Sequence, residues 1–236
     1  MTGETYVGVF RGRKTIQRSA TIGGARSVFV KLQDNGNDFK YPTFGGYIKN
    51  PFKGTAKAFA GDLFEFRTDK DGVNPELYLL KTFLVESVSG NTVNIVKDGY
   101  KHTPFVGDKI GVAPEEIGGE MTVATITAVT TSKVGGQEVW ACSTDSALTA
   151  KKGDVLVEAD ADGNMLVKKI NAVAPTDLDM FDAPATGDED FDGARYSYTP
   201  ALGGLMYESK MSPLPACVKK LNISNVTGWF QVRGVY

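Results

Sequence analysis

"KKGDVLVEADADGN", residues 151–164, is the stretch whose reading decides the fold. Gly153-Asp154 leads straight into Val155-Leu156-Val157, and the stretch closes on Asp162-Gly163. Glycine accepts the positive φ that tight turns need and aspartate bonds nearby backbone amides, so each pair marks a change of chain direction. The apolar run between them is too short for a helix and β-branched enough for a strand. A strand start followed by a hairpin is therefore expected, with "VLVEADADGNMLVKKI" turning at Asp162-Gly163.

The same grammar recurs along the chain. "LVESVSGNTVNIV" places Gly90-Asn91 between two β-prone runs, and "AVTTSKVGGQEVWAC" does so with Gly135-Gly136. "MTVATITAV" reads as a strand with Met121, Val123 and Val129 on one face at period two. "NPELYLLKTFL" offers a competing helix start, with Asn74 as cap, Pro75 first and Glu76 in the first turn. The matching stretch further on is a Thr/Val strand, so strand is expected here too. With 27 glycines spacing short runs, the chain reads as mainly β, built of short-stranded barrel or sandwich modules with an extended N-terminal arm.

Two further Gly-Asp pairs share the opening feature. Gly61-Asp62 starts "GDLFEF" and Gly107-Asp108 starts "GDKIGV", so the three pairs lie 46 residues apart in each interval. The first two are also followed by Gly72 and Gly118 at matching positions. Together they suggest a repeated β unit.

Composition narrows the function classes. In a chain of 236 residues, 42% hydrophobic content fills a sizeable core, which excludes a disordered tail. A net charge of −2 argues against a surface that grips phosphates throughout. Cys142 and Cys217 match no metal-ligand spacing and read as buried, reduced thiols. The start lacks the pattern of a secretory signal and no window approaches the roughly 20 apolar residues of a membrane span, so synthesis and residence in a cytoplasm are expected.

Charge is distributed unevenly. Residues 1–59 hold ten Lys or Arg against three acids, a net +7, whereas residues 153–192 hold eleven acids against Lys168 and Lys169, a net −9. Three segments follow: an extended basic arm at 1–59, a β domain of candidate repeated units at 60–174, and an acidic irregular segment with C-terminal strands at 175–236. Arg11, Arg13, Lys14 and Arg18 form the arm's densest cationic cluster and are expected to dock on acidic protein surface. Only Phe10 lies nearby as an aromatic platform, so nucleic acid is disfavoured as the partner. Asp188, Asp190 and Asp192 are the counterpart in the acidic region.

"DEDFDG", residues 188–193, resembles the first half of a calcium loop, but Thr199 stands where the closing Glu belongs; a solvated acidic loop is preferred. "EADADG", residues 158–163, has Lys169 at that position and reads as a hairpin turn. No metal and no cofactor are therefore expected. His102, the single histidine, has no nucleophile in a recognisable elbow near it in sequence and is expected to be solvent-facing or locally hydrogen-bonded. An enzyme is the least favoured class. The "TGWFQVRGVY" terminus, with Trp229, Phe230, Val232 and Tyr236, reads as a strand of the domain sheet in preference to one donated to a partner.

The chain as a whole resembles auxiliary capsid (decoration) or head-fibre proteins of tailed bacteriophages, most closely those of the crAss-like phages of gut Bacteroidales. The resemblance is carried by the signal-less start, the arm running through "NPFKGTAKAFAGDLFEF", the Gly-Asp strand starts with Thr/Val hairpins, and "LVKKINAVAPTDL". It implies a non-enzymatic virion protein that binds the capsid shell. Its partners would be a major capsid protein and neighbouring copies of itself, with no small-molecule substrate and no membrane. Two alternatives remain open. One is a phage tail-tube or neck protein. The other is a carbohydrate-binding β module using Tyr196, Tyr198 and Tyr207 as a platform.

Overall fold

A computed structural model describes residues 29–31, 46–68, 75–180, 197–201, 204–207, 211–220 and 230–233. The chain is mainly β. Its strands in order are β1 (Phe29–Lys31), β2 (Gly46–Ile48), β3 (Ala56–Ala58), β4 (Leu63–Thr68), β5 (Pro75–Leu79), β6 (Thr82–Ser89), β7 (Thr92–Val96) and β8 (Lys109–Val112). They continue with β9 (Val123–Val134), β10 (Gln137–Thr144), β11 (Val155–Glu158), β12 (Ala172–Val173), β13 (Leu178–Met180), β14 (Ser197–Tyr198), β15 (Gly204–Tyr207) and β16 (Phe230–Arg233). The one helix among the described residues, α1, is Ala216–Lys220.

Six strands close a barrel in the order β10-β7-β6-β11-β8-β9, every pair antiparallel. Closure removes the open edges that would invite aggregation. Phe83, Val85, Val93, Ile95, Ile110, Ile126, Cys142 and Leu156 fill it. A second, five-stranded sheet has the order β12-β4-β5-β2-β14 and buries Ile48, Phe64, Leu77 and Leu79. Smaller sheets pair β13 with β3 and set β15 between β1 and β16.

The three Gly-Asp pairs form one local structure three times. Gly61, Gly107 and Gly153 have φ of +90°, +83° and +92°, and each is the third residue of a turn closed by Asp62 N–H to Phe59 O, Asp108 N–H to Phe105 O and Asp154 N–H to Lys151 O. This is the pattern of a type II turn, in which an L side chain at the third position is strained. Each aspartate then folds its Oδ2 back onto the amide that opens its own turn, from Phe59, Phe105 and Lys151 at 2.6, 2.9 and 2.9 Å.

Each turn also docks identically on another strand. Gly61, Gly107 and Gly153 donate N–H to the carbonyls of Ala174, Ile126 and Val85, and the N–H of those same residues returns to the carbonyls of Asp62, Asp108 and Asp154, all at 2.7–2.9 Å. The docked pair sets the following register: Leu63 lies opposite Val173, Lys109 opposite Thr125 and Val155 opposite Leu84.

The equal spacing is therefore a repeated turn, but not a tandem module. The turn at Gly107 docks on β9, the second strand after it, whereas the turn at Gly153 reaches back to β6 and that at Gly61 reaches forward to the end of β12. Within the barrel the consequence is an internal twofold relation in which β8-β9-β10 corresponds to β11-β6-β7. In both halves a bulge follows the docked residue by one position, at Thr127 after Ile126 and at Glu86 after Val85.

That bulge corrects the expected face of β9. Ala124 and Ile126 point inward, Met121 and Val123 do not reach full burial, and the inserted Thr127 flips the alternation so that Val129 packs on the barrel core from an odd position. Beyond the bulge β9 is largely exposed, while β10 beside it in the same ribbon keeps Val139, Cys142 and Thr144 buried. The ribbon ends at Gly135-Gly136, whose φ values of +57° and +86° are those of a type I′ hairpin. The hairpins at Gly90-Asn91 and near Asp162-Gly163 are likewise present, the latter through an Ala159–Met165 bridge. Within "NPELYLLKTFL", Pro75–Leu79 forms strand, its Leu77 and Leu79 buried in alternation, so sheet packing overrides the helix-start signals.

Two further expectations need correction. Residues 46–59 do not belong to an arm: β2 pairs in parallel with β5, and β3 pairs with β13, because Ile48, Phe52 and Ala58 are core residues. Tyr198 is no exposed platform. Its ring packs on Phe64, its hydroxyl donates to Thr176 O at 2.7 Å, and burial pushes the phenol from 10.0 up to about 12. Tyr207 lies on β15, and Tyr196 and Gly72 lie outside the described residues.

Two outcomes follow from these contacts. Gly153→Ala meets nothing within 4 Å, yet its φ of +92° remains, so denaturant titration should show a loss of about 1–2 kcal/mol; an unchanged midpoint would refute the backbone account. Tyr198 folds neutral and its folded value exceeds its unfolded one, so the stability it contributes is complete below pH 10.0 and is lost towards about pH 12. Tyr198→Phe should flatten the fall of thermal midpoint with pH across that window.

Candidate functional site

The chemistry-bearing side chains gather where the barrel meets the second sheet. Asp62, which closes the first Gly-Asp turn, is 2% exposed. Its Oδ2 accepts the Phe59 amide at 2.6 Å and His102 Nε2 at 2.8 Å, while Oδ1 accepts the Ser212 hydroxyl. The Thr82 amide donates to His102 Nδ1 at 2.9 Å. That nitrogen therefore carries no proton, and Nε2–H faces the carboxylate. His102 is thus buried, 1% exposed, between Phe52 and Phe59, and its partners lie 20 and 40 residues away in sequence. The expectation of a solvent-facing or locally bonded histidine fails because the partners come from the start of β6 and the first turn.

Ser212 touches this network but meets the carboxylate, not the imidazole. The histidine is not placed to take the serine proton, and its other nitrogen is occupied by a backbone amide. The network instead anchors the segment ahead of α1 to the body. Between residues 211–219 and the Gly153 turn lies a cleft of about 460 Å³, lined by Leu84, Lys101, Val112, Asp154, Ser212 and Leu214 among others. Its polar groups are partly committed: Lys101 pairs with Asp98 at 2.9 Å and Asp154 with its own turn.

A second buried cluster lies on the other side of Phe52. Lys81, 2% exposed, sits in the short link between β5 and β6. Its Nζ donates to Pro51 O and to Glu158 Oε1, both at 3.1 Å, with the Phe52 ring centroid 5.3 Å away. The other oxygen of Glu158, Oε2, accepts Asn50 Nδ2 at 2.7 Å. Asn50 is clamped by the Leu79 backbone: its Oδ1 accepts Leu79 N–H at 2.7 Å, and its Nδ2 donates to Leu79 O at 2.9 Å. No local sequence pattern announces this cluster, since its members lie in a loop, a link and a strand end separated by 31 and 77 positions.

The residues singled out from sequence are distributed differently. Arg11, Arg13, Lys14 and Arg18 lie outside the described residues, as do Asp188, Asp190 and Asp192. In "EADADG", Asp160 Oδ1 accepts the amides of Asp162 and Asn164, and Oδ2 pairs with Lys168, so that carboxylate is a turn component. Cys142 and Cys217 are buried and not joined in a disulfide, and burial pushes Cys142 up to about 12. Among the described residues no helix is long and apolar enough to cross a membrane.

The two aspartates at opposite ends of the Gly-Asp series should respond differently to truncation. Asp62→Ala strands three donors in the interior and should cost about 3–5 kcal/mol in urea unfolding, whereas Asp154→Ala, at the surface, should cost about 1 kcal/mol. Equal costs would mean that the shared turn bond, not the buried network, carries the effect. Comparison with protein-family models, with curated proteins and with solved structures finds no match to this chain.

Proposed function

We propose that the chain is a non-enzymatic structural protein of a virion, an auxiliary protein that binds the capsid shell of a tailed bacteriophage and stabilises it or presents an outer surface. The observation that carries this reading is charge polarity. A net +7 within residues 1–59 faces a net −9 within residues 153–192 in a chain whose total is only −2. Such separation orients association between copies and is wasteful in a protein that acts alone.

One contact inside the chain illustrates the pairing. Lys57 on β3 lies 3.1 Å from Asp179 on β13, basic segment against acidic segment. Both side chains are well exposed, so the bond adds little stability by itself and serves better as a guide to docking. Arg11, Arg13, Lys14 and Arg18 extend the same attraction to a neighbouring copy or to the shell, with Asp188, Asp190 and Asp192 as acceptors. The closed barrel provides a body without open edges, and β9 beyond its bulge offers an exposed, Thr-rich surface.

Particles purified from an infected host should contain this chain in many copies alongside a major capsid protein. A version lacking residues 1–28, which keeps β1 onward, should melt cooperatively but lose its place in particles, and raised salt should weaken incorporation of the full chain. Full occupancy by the shortened chain would remove the arm from the mechanism. A monomer absent from particles would overturn the proposal, and rings or tubes formed by the pure protein would move it to the tail tube or neck.

A further inference from the structure

The Lys81–Glu158–Asn50 cluster holds a buried amine and a buried carboxamide on one partly buried proton acceptor. We propose that Lys81 and Asn50 join spontaneously after folding to form an intramolecular isopeptide bond, with Glu158 as the proton carrier. This inference stands independently of the virion reading.

The reactants are arranged for it. Both nitrogens concerned, Lys81 Nζ and Asn50 Nδ2, contact one carboxylate, at 3.1 Å on Oε1 and 2.7 Å on Oε2. Glu158 therefore takes a proton from the attacking nitrogen on one side and delivers it to the departing nitrogen on the other. The Leu79 amide lies 2.7 Å from Asn50 Oδ1, where negative charge develops as the carbonyl carbon becomes tetrahedral. Exposures of 2% for Lys81 and 8% for Asn50 keep bulk water from competing for that carbon, and the surrounding strands hold the groups in place.

The balance is complete without a co-reactant. Lys81 begins as an ammonium, and its Nζ gives one proton to Glu158. The Nζ lone pair forms a bond to Cγ of Asn50, and the oxyanion on Oδ1 is held by Leu79 N–H. Glu158 returns its proton to Nδ2, the Cγ–Nδ2 bond breaks, and the carbonyl re-forms. The remaining excess proton on Nζ leaves with the departing group, giving a neutral secondary amide and one ammonium ion. Glu158 ends as it began. The usual side reaction of asparagine, cyclisation onto the next backbone nitrogen, is blocked because that residue is Pro51, whose nitrogen bears no hydrogen. Asn50 can therefore lose ammonia to a neighbour in space but not to its neighbour in sequence.

The bond would fasten the chain just past β2 to the start of β6, tying the second sheet to the barrel across 31 positions. Intact-mass spectrometry of the folded full chain should find it about 17 Da, one ammonia, below its sequence mass. Proteolysis should release a branched peptide joining Asn50 to Lys81. Lys81→Arg, Asn50→Ala and Glu158→Gln should each keep the full mass and yield no branched peptide. Glu158→Gln preserves the shape of the cluster while removing the proton acceptor. If the variants fail to fold, the wild-type mass and peptide map decide alone. A folded wild-type chain at full sequence mass would overturn the proposal, as would ammonia loss without the branched peptide or a branched peptide that survives Glu158→Gln.

Discussion

The structure depends on one reciprocal pair of backbone hydrogen bonds. At each Gly-Asp turn the glycine N–H and the aspartate carbonyl clasp a single residue of another strand, Ala174, Ile126 or Val85. Only a glycine can hold φ near +90° without strain, and only a short carboxylate can reach back to the amide that opens the turn. Because the clasp fixes a specific residue, it sets strand register, and register decides which side chains enter the core. Barrel interior, bulge position and second sheet all follow from those three attachments.

The same turn serves different ends according to which side chains surround its carboxylate. At Asp108 the carboxylate lies 3.4 Å from Lys53, and at Asp154 it stays near the surface. At Asp62, Oδ2 takes the His102 donor beside the turn amide and Oδ1 takes the Ser212 hydroxyl, so the segment before α1 is tethered. A single carboxylate thereby joins the first turn, the link into the barrel and a strap more than a hundred residues later. The buried Lys81–Glu158 pair next to it carries the desolvation cost of two charges, which its hydrogen bonds to Asn50 and Pro51 offset.

Much of this was legible in the sequence, and the failures have physical reasons. Turn chemistry is local, so Gly90-Asn91, Gly135-Gly136 and the Gly-Asp starts marked hairpins and strands correctly. Period-two reading of β9 failed at Thr127, since a bulge inserts one residue and leaves no compositional mark. Residues 46–59 looked irregular because β2 and β3 are three residues each, too short to show alternation. The partners of His102 and the members of the Lys81 cluster are long-range, and a spacing argument sees only neighbours along the chain. The 46-residue interval was real as a recurrence of one turn, but it concealed that β11 completes the half of the barrel begun by β6 and β7.

That interleaving governs the order in which the protein can come into being. β6 and β7 leave the ribosome well before β11, the strand that must lie beside β6, and the intervening residues first have to build β8, β9 and β10. During synthesis the apolar faces of β6 and β7 await a partner encoded some seventy positions downstream, so barrel closure is a late, non-local event of the kind that slows folding. A stalled nascent chain ending before Val155 carries all three Gly-Asp turns but lacks β11 and has no closed barrel. The molecule is in this sense indivisible: its internal symmetry is visible only in the finished object, never in any growing fragment of it.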